Sequence, residues 1–335
     1  MKIWVFRIIV AIVSICFLVG CKGENLTSSD SEQSIPVHTL PSVVEKPNLT
    51  EDVEENNNET QPITVTLKDP KTLEIVEIIN PQQLGYDTNF EMYLTRIKNI
   101  AKDLARGTDN SSGYDQQMIL DKIGEDGRII KGSPRIILKE SELVDQILAA
   151  SDKGSSIFLP IYITESIYNV EDVPSLDDVI IASFTTYFNP TDTGRNKNIE
   201  LSTNALHNII VGNGDYFSFN TMVGERTEER GYQPAPEIIN KKLVMGIGGG
   251  ICQTSSTLFN AVDQVGVRIT ERHHHSLSVG YVATGRDATV SYGTLDFKFQ
   301  NISGAPFLIN TKYENNQITI EIRTAQQYKR FFDKD

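Results

Sequence analysis

The sequence predicts an α+β fold, with α+β domains at residues 62–178 and 179–325 and a tail at 326–335. Three observations predict it. Strand-like alternation groups into hairpins at both ends of this region, and apolar residues at helical spacing recur between them. A glycine triplet, Gly248 to Gly250, precedes one of these helical patterns. We therefore expect a cysteine-bearing helix packed on a mainly antiparallel sheet in the second domain.

The first twenty residues predict a signal peptide. Lys2 and Arg7 give it a basic start, an apolar stretch covers residues 8–19, and Leu18-Val19-Gly20-Cys21 ends it. This ending resembles a bacterial lipobox, which implies cleavage before Cys21 and lipid (palmitate) attachment there. The resemblance predicts a lipid anchor on the outer face of a bacterial cytoplasmic membrane, facing the cell wall. A plain signal peptide or an anchor helix is the alternative.

Residues 21–61 predict a disordered acidic tether, because they are rich in Ser, Asn, Glu and Thr and hold few large apolar residues. The whole chain has 31 basic and 44 acidic residues, a net charge of −13. This balance argues against nucleic acid as a partner.

The region 62–178 predicts a support domain without catalytic residues. A hairpin is expected from Ile63 to Ile79, a long helix from Phe90 to Leu104, and a strand at 136–138. A second helix is expected around residues 143–148 and a strand at 156–163. The layout resembles the peptidoglycan-binding domain of YoaR-like proteins, which implies peptidoglycan as the partner.

The region 179–325 begins after an acidic stretch that contains Pro174. We expect a short helix at 204–211 that ends at Gly212, with His207 in a structural role, and buried positions for Phe217 and Phe219. The cysteine helix should end at Gly266. Strands are then expected at 267–270, 288–292 and 295–299, followed by a hairpin of 307–313 with 317–322.

Several motifs in this region resemble those of the VanW family, over about residues 182–301. They are Ser183-Phe184-Thr185-Thr186-Tyr187-Phe188-Asn189-Pro190, Asn198-Ile199, Phe217-Ser218-Phe219-Asn220, Val223-Gly224-Glu225-Arg226-Thr227, Arg230-Gly231-Tyr232, the Gly248–Ser256 segment and Glu271-Arg272-His273-His274-His275-Ser276. The resemblance implies a family and a common fold, and it carries no assigned reaction.

Cys252 is the candidate nucleophile. Cys16 leaves with the signal peptide and Cys21 carries the lipid, so Cys252 is the thiol that remains. The start of a helix favours a thiolate. A strand period of two places His273 and His275 on one face, and Asp287 follows at a strand start. The order Cys, His, Asp is similar to transglutaminase-like and papain-like thiol enzymes, with Gly249, Gly250 and their neighbours giving N–H groups to the oxyanion.

Two functions therefore remain open at this stage. One is thiol acyl transfer, either hydrolysis or transpeptidation of peptides in peptidoglycan. The other is recognition of peptidoglycan without chemistry, with substrate-binding residues at Arg226, Arg230, Arg286, Gly249, Gly250 and Gln253. Cys252 as a buried core residue and a zinc site made with the histidines are further alternatives. No cofactor and no metal is predicted, because His-X-His is the only ligand-like spacing.

Overall fold

The computed structural model describes residues 62–239, 241–314 and 316–333. The predicted signal peptide, the lipidated Cys21 and the tether lie outside the described residues. Within the described part, no helix is long and apolar enough to cross a membrane.

Helices and strands are interspersed along the described part of the chain. The helices are α1 (Pro81–Leu84), α2 (Phe90–Arg106), α3 (Glu140–Ala150), α4 (Thr193–Leu206), α5 (Phe219–Val223) and α6 (Ile251–Val262). The strands are β1 (Val65–Lys68), β2 (Ile75–Ile79), β3 (Gly107–Thr108), β4 (Ser111–Ser112), β5 (Lys122–Ile123), β6 (Ile129–Ile130), β7 (Arg135–Leu138), β8 (Ser155–Phe158), β9 (Ile161–Thr164), β10 (Val179–Tyr187), β11 (Ile209–Val211), β12 (Tyr216–Ser218), β13 (Pro234–Ile239), β14 (Lys242–Ile247), β15 (Arg268–Glu271), β16 (Lys298–Gln300), β17 (Phe307–Glu314) and β18 (Gln317–Thr324). The predicted α+β class is confirmed.

The N-terminal core forms as its sequence pattern predicts. β1 and β2 pair antiparallel, and the alternating Val65 and Leu67 are buried beneath them. The Asn89 side chain accepts a hydrogen bond from the Met92 N–H and so caps α2, which buries one stripe of side chains against this sheet. The strand expected at 156–163 is instead two strands, β8 and β9, because Pro160 lies between them and has no N–H for a ladder.

A six-stranded antiparallel sheet forms the base of the C-terminal core. Its order is β10-β18-β17-β11-β5-β6. The hairpin expected from residues 307–322 is present as β17 and β18. Helices α4 and α6 pack together on one side of this sheet, and α6 contacts β10 and β18. This packing fixes the position of the cysteine helix.

Residues 118–130 contribute to this C-terminal core although they precede residue 179. β5 pairs with β11 through Lys122 and Ile209, and β6 extends the sheet by one more strand. Met118 and Leu120 are buried in the same core as α6.

Two elements differ from the sequence-based expectation. The helix expected at 204–211 is wrong: α4 ends at Leu206, and the β-branched run 209–211 is the fully buried strand β11. The strand expected at 288–292 makes only isolated bridges, at Thr289 and Ser291. Its start cannot join a ladder, because hydroxyl groups of α6 bind both the N–H and the carbonyl of Ala288.

Candidate functional site

The glycine triplet makes the tight turn that leads into α6. Gly248 and Gly250 have φ values of 97° and 105°, which L side chains rarely adopt. Gly249 is required for another reason: a Cβ there would lie 2.4 Å from the carbonyl oxygen of Ala235. Asn198 holds the turn from α4, since its Nδ2 donates to the carbonyl of Gly249 at 2.9 Å. Cys252 is therefore the second residue of a helix whose entry is fixed.

Helix α6 is buried on almost every side, and hydrogen bonds from its hydroxyl groups hold it in place. The Thr254 hydroxyl pairs with that of Ser202 at 2.7 Å, and the Thr257 hydroxyl with that of Thr186 at 2.8 Å. Ser255 donates to the carbonyl of Ala288 at 2.5 Å. Because these groups are fully buried, each bond is costly to leave unmade. The run Thr-Ser-Ser-Thr after the cysteine is the sequence signal for this polar helix.

The Cys252 thiol is hydrogen-bonded to the main chain. Its Sγ donates to the carbonyl oxygen of Val290 at 3.5 Å, and among the described residues no imidazole hydrogen-bonds to it. Burial raises the pKa of the thiol, and the carboxylates of Glu237 and Asp287 raise it further. The guanidinium of Arg226 acts in the opposite direction without reversing this shift.

Asp287 orients two of the three adjacent histidines. Its carboxylate oxygens lie 2.8 Å from Nδ1 of His274 and 2.7 Å from Nδ1 of His275, and it also accepts the backbone N–H of His275. Burial favours the neutral carboxyl, but these hydrogen bonds outweigh it and lower the pKa of Asp287 to about 2. Asp287 is therefore an anion that accepts from both rings.

The three histidines have different surroundings. His273 points its Nε2 at Glu271, 3.0 Å away, and does not line the cleft described below. The Nε2 of His274 meets the guanidinium of Arg272 at 3.3 Å. His275 has a buried side chain, and its Nε2 has no hydrogen-bond partner among the described residues. Of the three rings, His275 has the geometry of an oriented base.

A cleft of about 1180 Å³ opens beside the cysteine. Four stretches form most of its wall: the start of α4, the β13–β14 hairpin with the glycine turn, the loop after the histidines, and residues 289–295. Cys252, His274 and His275 all line it, as do Gly249 and Gly250. The structure therefore brings the predicted thiol and two imidazoles to one cavity, with Asp287 behind them.

The predicted arginines lie in three different settings. Arg226 lines the cleft, with its guanidinium carbon 5.7 Å from the ring centroids of both Phe219 and Tyr292. Its Nη1 and Nη2 are buried and have no hydrogen-bond partner among the described residues. Arg230 binds the carbonyls of Val223 and Glu225.

The other two predicted binding residues lie outside the cleft lining. Arg286 donates to Asn260 and Asp263 at 2.8 Å each, and so ties its loop to the end of α6. Gln253 is fully buried, with its amide nitrogen bound to Thr186 and to the carbonyl of Tyr187. Both residues hold the scaffold in this structure.

Comparison with known proteins identifies the region that carries this cleft. The family model "VanW like protein" matches residues 194–323. The chain carries a VanW-like domain. This confirms the family expected from the motifs, and the matched segment contains the glycine turn, Cys252, the histidines and Asp287.

Two curated relatives share part of this chain. The uncharacterized protein YoaR of Bacillus subtilis (strain 168) is 48% identical over 145 residues, which are 43% of this chain and 48% of YoaR. The vancomycin B-type resistance protein VanW of Enterococcus faecalis (strain ATCC 700802 / V583) is 26% identical over 135 residues, 39% of this chain and 49% of that protein. The chain thus spans about half the length of these curated relatives. No solved structure matches it.

Sequence reasoning missed several residues that line the cleft of the VanW-like domain. Arg195 enters it from α4 and donates to the Oε1 of Gln253 at 2.6 Å. Glu237 enters it from β13, and Tyr281 from the loop after the histidines. A single Arg, Glu or Tyr in the sequence does not indicate which cavity its side chain faces. The positions of these three residues in the cleft therefore follow only from the fold.

Among the described residues, no group of three or more His, Cys, Asp or Glu side chains is placed to hold a metal ion. The two imidazoles of the cleft instead share a carboxylate, and that arrangement suits proton transfer.

Proposed function

We propose that this protein is a lipid-anchored surface protein that acts on peptides of the bacterial cell wall. Three findings support the proposal. The sequence before residue 22 resembles a lipoprotein signal, the chain carries a VanW-like domain, and one relative is named a vancomycin resistance protein. Vancomycin is an antibiotic that acts on the bacterial cell wall. Peptidoglycan is accordingly the proposed partner, reached from the outer face of the membrane.

The reaction we propose is acyl transfer through Cys252. The observation that carries it is the shared cleft: Cys252 and His275 line one cavity, and Asp287 fixes the His275 ring through its Nδ1. The imidazole takes the thiol proton as Sγ attacks the peptide carbonyl. The C–N bond then breaks, and the leaving amine takes that proton. Water or a second amine next attacks the thioester, which restores the thiol.

The glycine turn supplies the second requirement of such a reaction, which is a place for the oxyanion. Among the described residues, the N–H groups of Gly249, Gly250 and Cys252 find no main-chain acceptor. These donors lie at the start of α6, where the dipole of the helix also favours negative charge. The turn is held rigidly, so the donors need little reorganisation when a carbonyl enters.

The resting state of the thiol sets a condition on this mechanism. Because burial raises the pKa of Cys252 and its Sγ is hydrogen-bonded to the carbonyl of Val290, the thiol is not paired with an imidazole before substrate binds. The bound substrate must therefore displace the thiol from Val290 and bring it to His275. The thiol should react faster with a bound acyl group than with a small alkylating agent.

The test is a digest of purified peptidoglycan, followed by mass spectrometry of the soluble and cross-linked peptides. Wild-type protein should change the peptide pattern, and Cys252→Ala and His275→Gln should each lower the rate by at least about a hundredfold. The exposed Arg268 on β15 provides a control, Arg268→Gln, that should keep wild-type activity. Unchanged turnover by Cys252→Ala would refute the acyl-transfer proposal.

Recognition without chemistry is the second candidate function. The observation that favours it is the thiol, which is already hydrogen-bonded to Val290. In this case Cys252→Ala binds peptidoglycan as well as wild type does, and neither protein alters the peptides. Intact-mass spectrometry after acid quenching separates the two functions, because only acyl transfer leaves a thioester on Cys252.

A further inference from the structure

Two charged side chains of the cleft make no hydrogen bond or ion pair with the described residues. Arg226 presents two buried guanidinium nitrogens without partners among the described residues. Glu237 lines the same cleft and makes no hydrogen bond or ion pair among those residues. Both side chains interact electrostatically with the Cys252 thiol, one with each sign. The two charges therefore lie near the proposed nucleophile.

The other charged groups of the cleft do not neutralise these two. Arg195 is bound to Gln253 through its Nη2. Asp192 and Glu225 are exposed at the rim, where water screens them. His274 and His275 face Asp287. A ligand in the cleft thus meets the carboxylate of Glu237 and two guanidinium groups, and of these two only that of Arg226 keeps its terminal nitrogens free of hydrogen bonds among the described residues.

Keeping both charges unpaired is unfavourable for the empty protein. Burial lowers the pKa of Arg226 and raises that of Glu237, so each environment disfavours the charged form. The cost is largest for Arg226, because its terminal nitrogens are buried, and a ligand of opposite charge can return that free energy. Gly246 makes room for Glu237, because the Glu237 carboxylate occupies the space that a Cβ at Gly246 would fill.

We propose that the cleft beside Cys252 binds a zwitterionic peptide end, with a free carboxylate on Arg226 and a free ammonium on Glu237. The inference rests on the proposed function for the presence of a wall peptide in the cleft, and it adds the chemical class of that peptide. A guanidinium binds a carboxylate through two parallel hydrogen bonds, which suits the two free nitrogens of Arg226. Aliphatic side chains line the space around these charges and suit a hydrocarbon stem: Ile238, Leu243, Ile247, Leu277, Val279 and Val290.

The ring of Tyr292 is the exposed neighbour of the Arg226 guanidinium. Its centroid lies 5.7 Å from the guanidinium carbon of Arg226, and the side chain is 51% exposed. The second aromatic ring that contacts the guanidinium of Arg226 is that of Phe219, which is fully buried. A half-exposed tyrosine can change rotamer without disturbing the core, whereas Phe219 cannot.

The test uses Cys252→Ala protein, so that binding is measured without turnover. The probe is Nα-acetyl-L-lysyl-D-alanine, which carries one carboxylate and one ammonium, and binding is followed by isothermal titration calorimetry. Two altered probes remove one charge each: the C-terminal amide, and the peptide acetylated on Nζ. The proteins are the parent, Arg226→Gln and Glu237→Gln, each in the Cys252→Ala background.

The inference predicts a paired pattern of losses. Arg226→Gln should weaken binding of the zwitterionic probe by about 10- to 100-fold. The C-terminal amide, which lacks the carboxylate, should bind Arg226→Gln and the parent with the same low affinity. Glu237→Gln should show the same pattern with the Nζ-acetylated peptide. Matched controls on exposed residues, Arg268→Gln and Glu77→Gln, should bind all three probes like the parent.

Two results overturn the inference. In the first, each substitution weakens binding of the zwitterionic probe and of the probe that lacks the matching charge by the same factor. The other is no measurable binding of the probe to the parent. Neither result affects the peptidoglycan digest, which tests acyl transfer with wild-type protein. Paired losses together with no turnover would instead support a zwitterion-binding site and refute the proposed chemistry.

Discussion

Replacing Arg226 by methionine should stabilise the ligand-free protein. A buried guanidinium without a hydrogen-bond partner lowers the free energy of unfolding, and methionine removes it. Methionine keeps most of the stem that packs beside Gly248 and removes the guanidinium. An unsatisfied buried polar group costs about 1–3 kcal/mol, and more for a charged group. Both Nη atoms of Arg226 are in this state among the described residues.

The contacts with two aromatic rings reduce this gain. Each cation–π contact contributes about 0.5–1 kcal/mol, and Arg226 has two, with Phe219 and Tyr292. Two unsatisfied nitrogens cost about 2–6 kcal/mol and the two ring contacts offset about 1–2 kcal/mol, so we expect Arg226→Met to raise the free energy of unfolding by about 1–4 kcal/mol. For a domain of this size, each kcal/mol raises Tm by about 2–4 °C.

The assay is thermal unfolding followed by circular dichroism, with protein free of peptide ligands. Arg268→Met is the matched control, because Arg268 is exposed on β15 and should change Tm little. A Tm for Arg226→Met that falls below that of the control would refute the reasoning. It would mean that the guanidinium holds the fold together, as Arg286 does at the end of α6.

Three further predictions concern buried groups. Burial raises the pKa of Asp215 to about 6 from 3.8, so its favourable contribution is present below pH 3.8 and is lost as the pH rises through 6. In urea unfolding, this group should lower the free energy of unfolding by about 3 kcal/mol between pH 4 and pH 7, a decrease that Asp215→Asn lacks. An equal decrease in both proteins would contradict the assignment. Cys252 should react with iodoacetamide at pH 7.5 more slowly than N-acetylcysteine does, since burial raises its pKa; a faster rate would mean an activated thiol at rest. Gly250→Ala should destabilise the protein by about 1–3 kcal/mol in urea unfolding, because φ is 105° and the new Cβ would lie 2.7 Å from Cγ of Arg195. The control Gly127→Ala has a positive φ but no atom within 4 Å, and an equal loss there would exclude the clash as a cause.

The sequence predicted those elements whose side-chain period is visible within one segment. Strand β1 and helix α2 are examples, because β1 buries every second residue and α2 buries Tyr93, Ile97, Ala101 and Ala105 at helical spacing. α4 was misplaced since its buried face is polar and includes Asn198 and Ser202, which carry no apolar period. The partners of these side chains come from other parts of the chain and could not be read locally.

The site shows the same division between local and distant information. The position of Cys252 at a helix start follows from the glycine triplet and is confirmed. Which histidines meet Asp287 depends on the backbone after β15, which ends at Glu271, so a strand period does not continue through His274. That Arg226 faces the cleft while Arg286 faces α6 depends on the tertiary fold alone.

The strand pairing between β5 and β11 has a consequence for dissecting the protein. A fragment that begins at residue 179 would lack β5 and β6, together with Met118 and Leu120. Its strand β11, fully buried in the intact chain, would become a bare edge of three β-branched residues. Such edges invite pairing with other chains, so the fragment should aggregate on expression. A clone that begins near residue 62 keeps this edge covered.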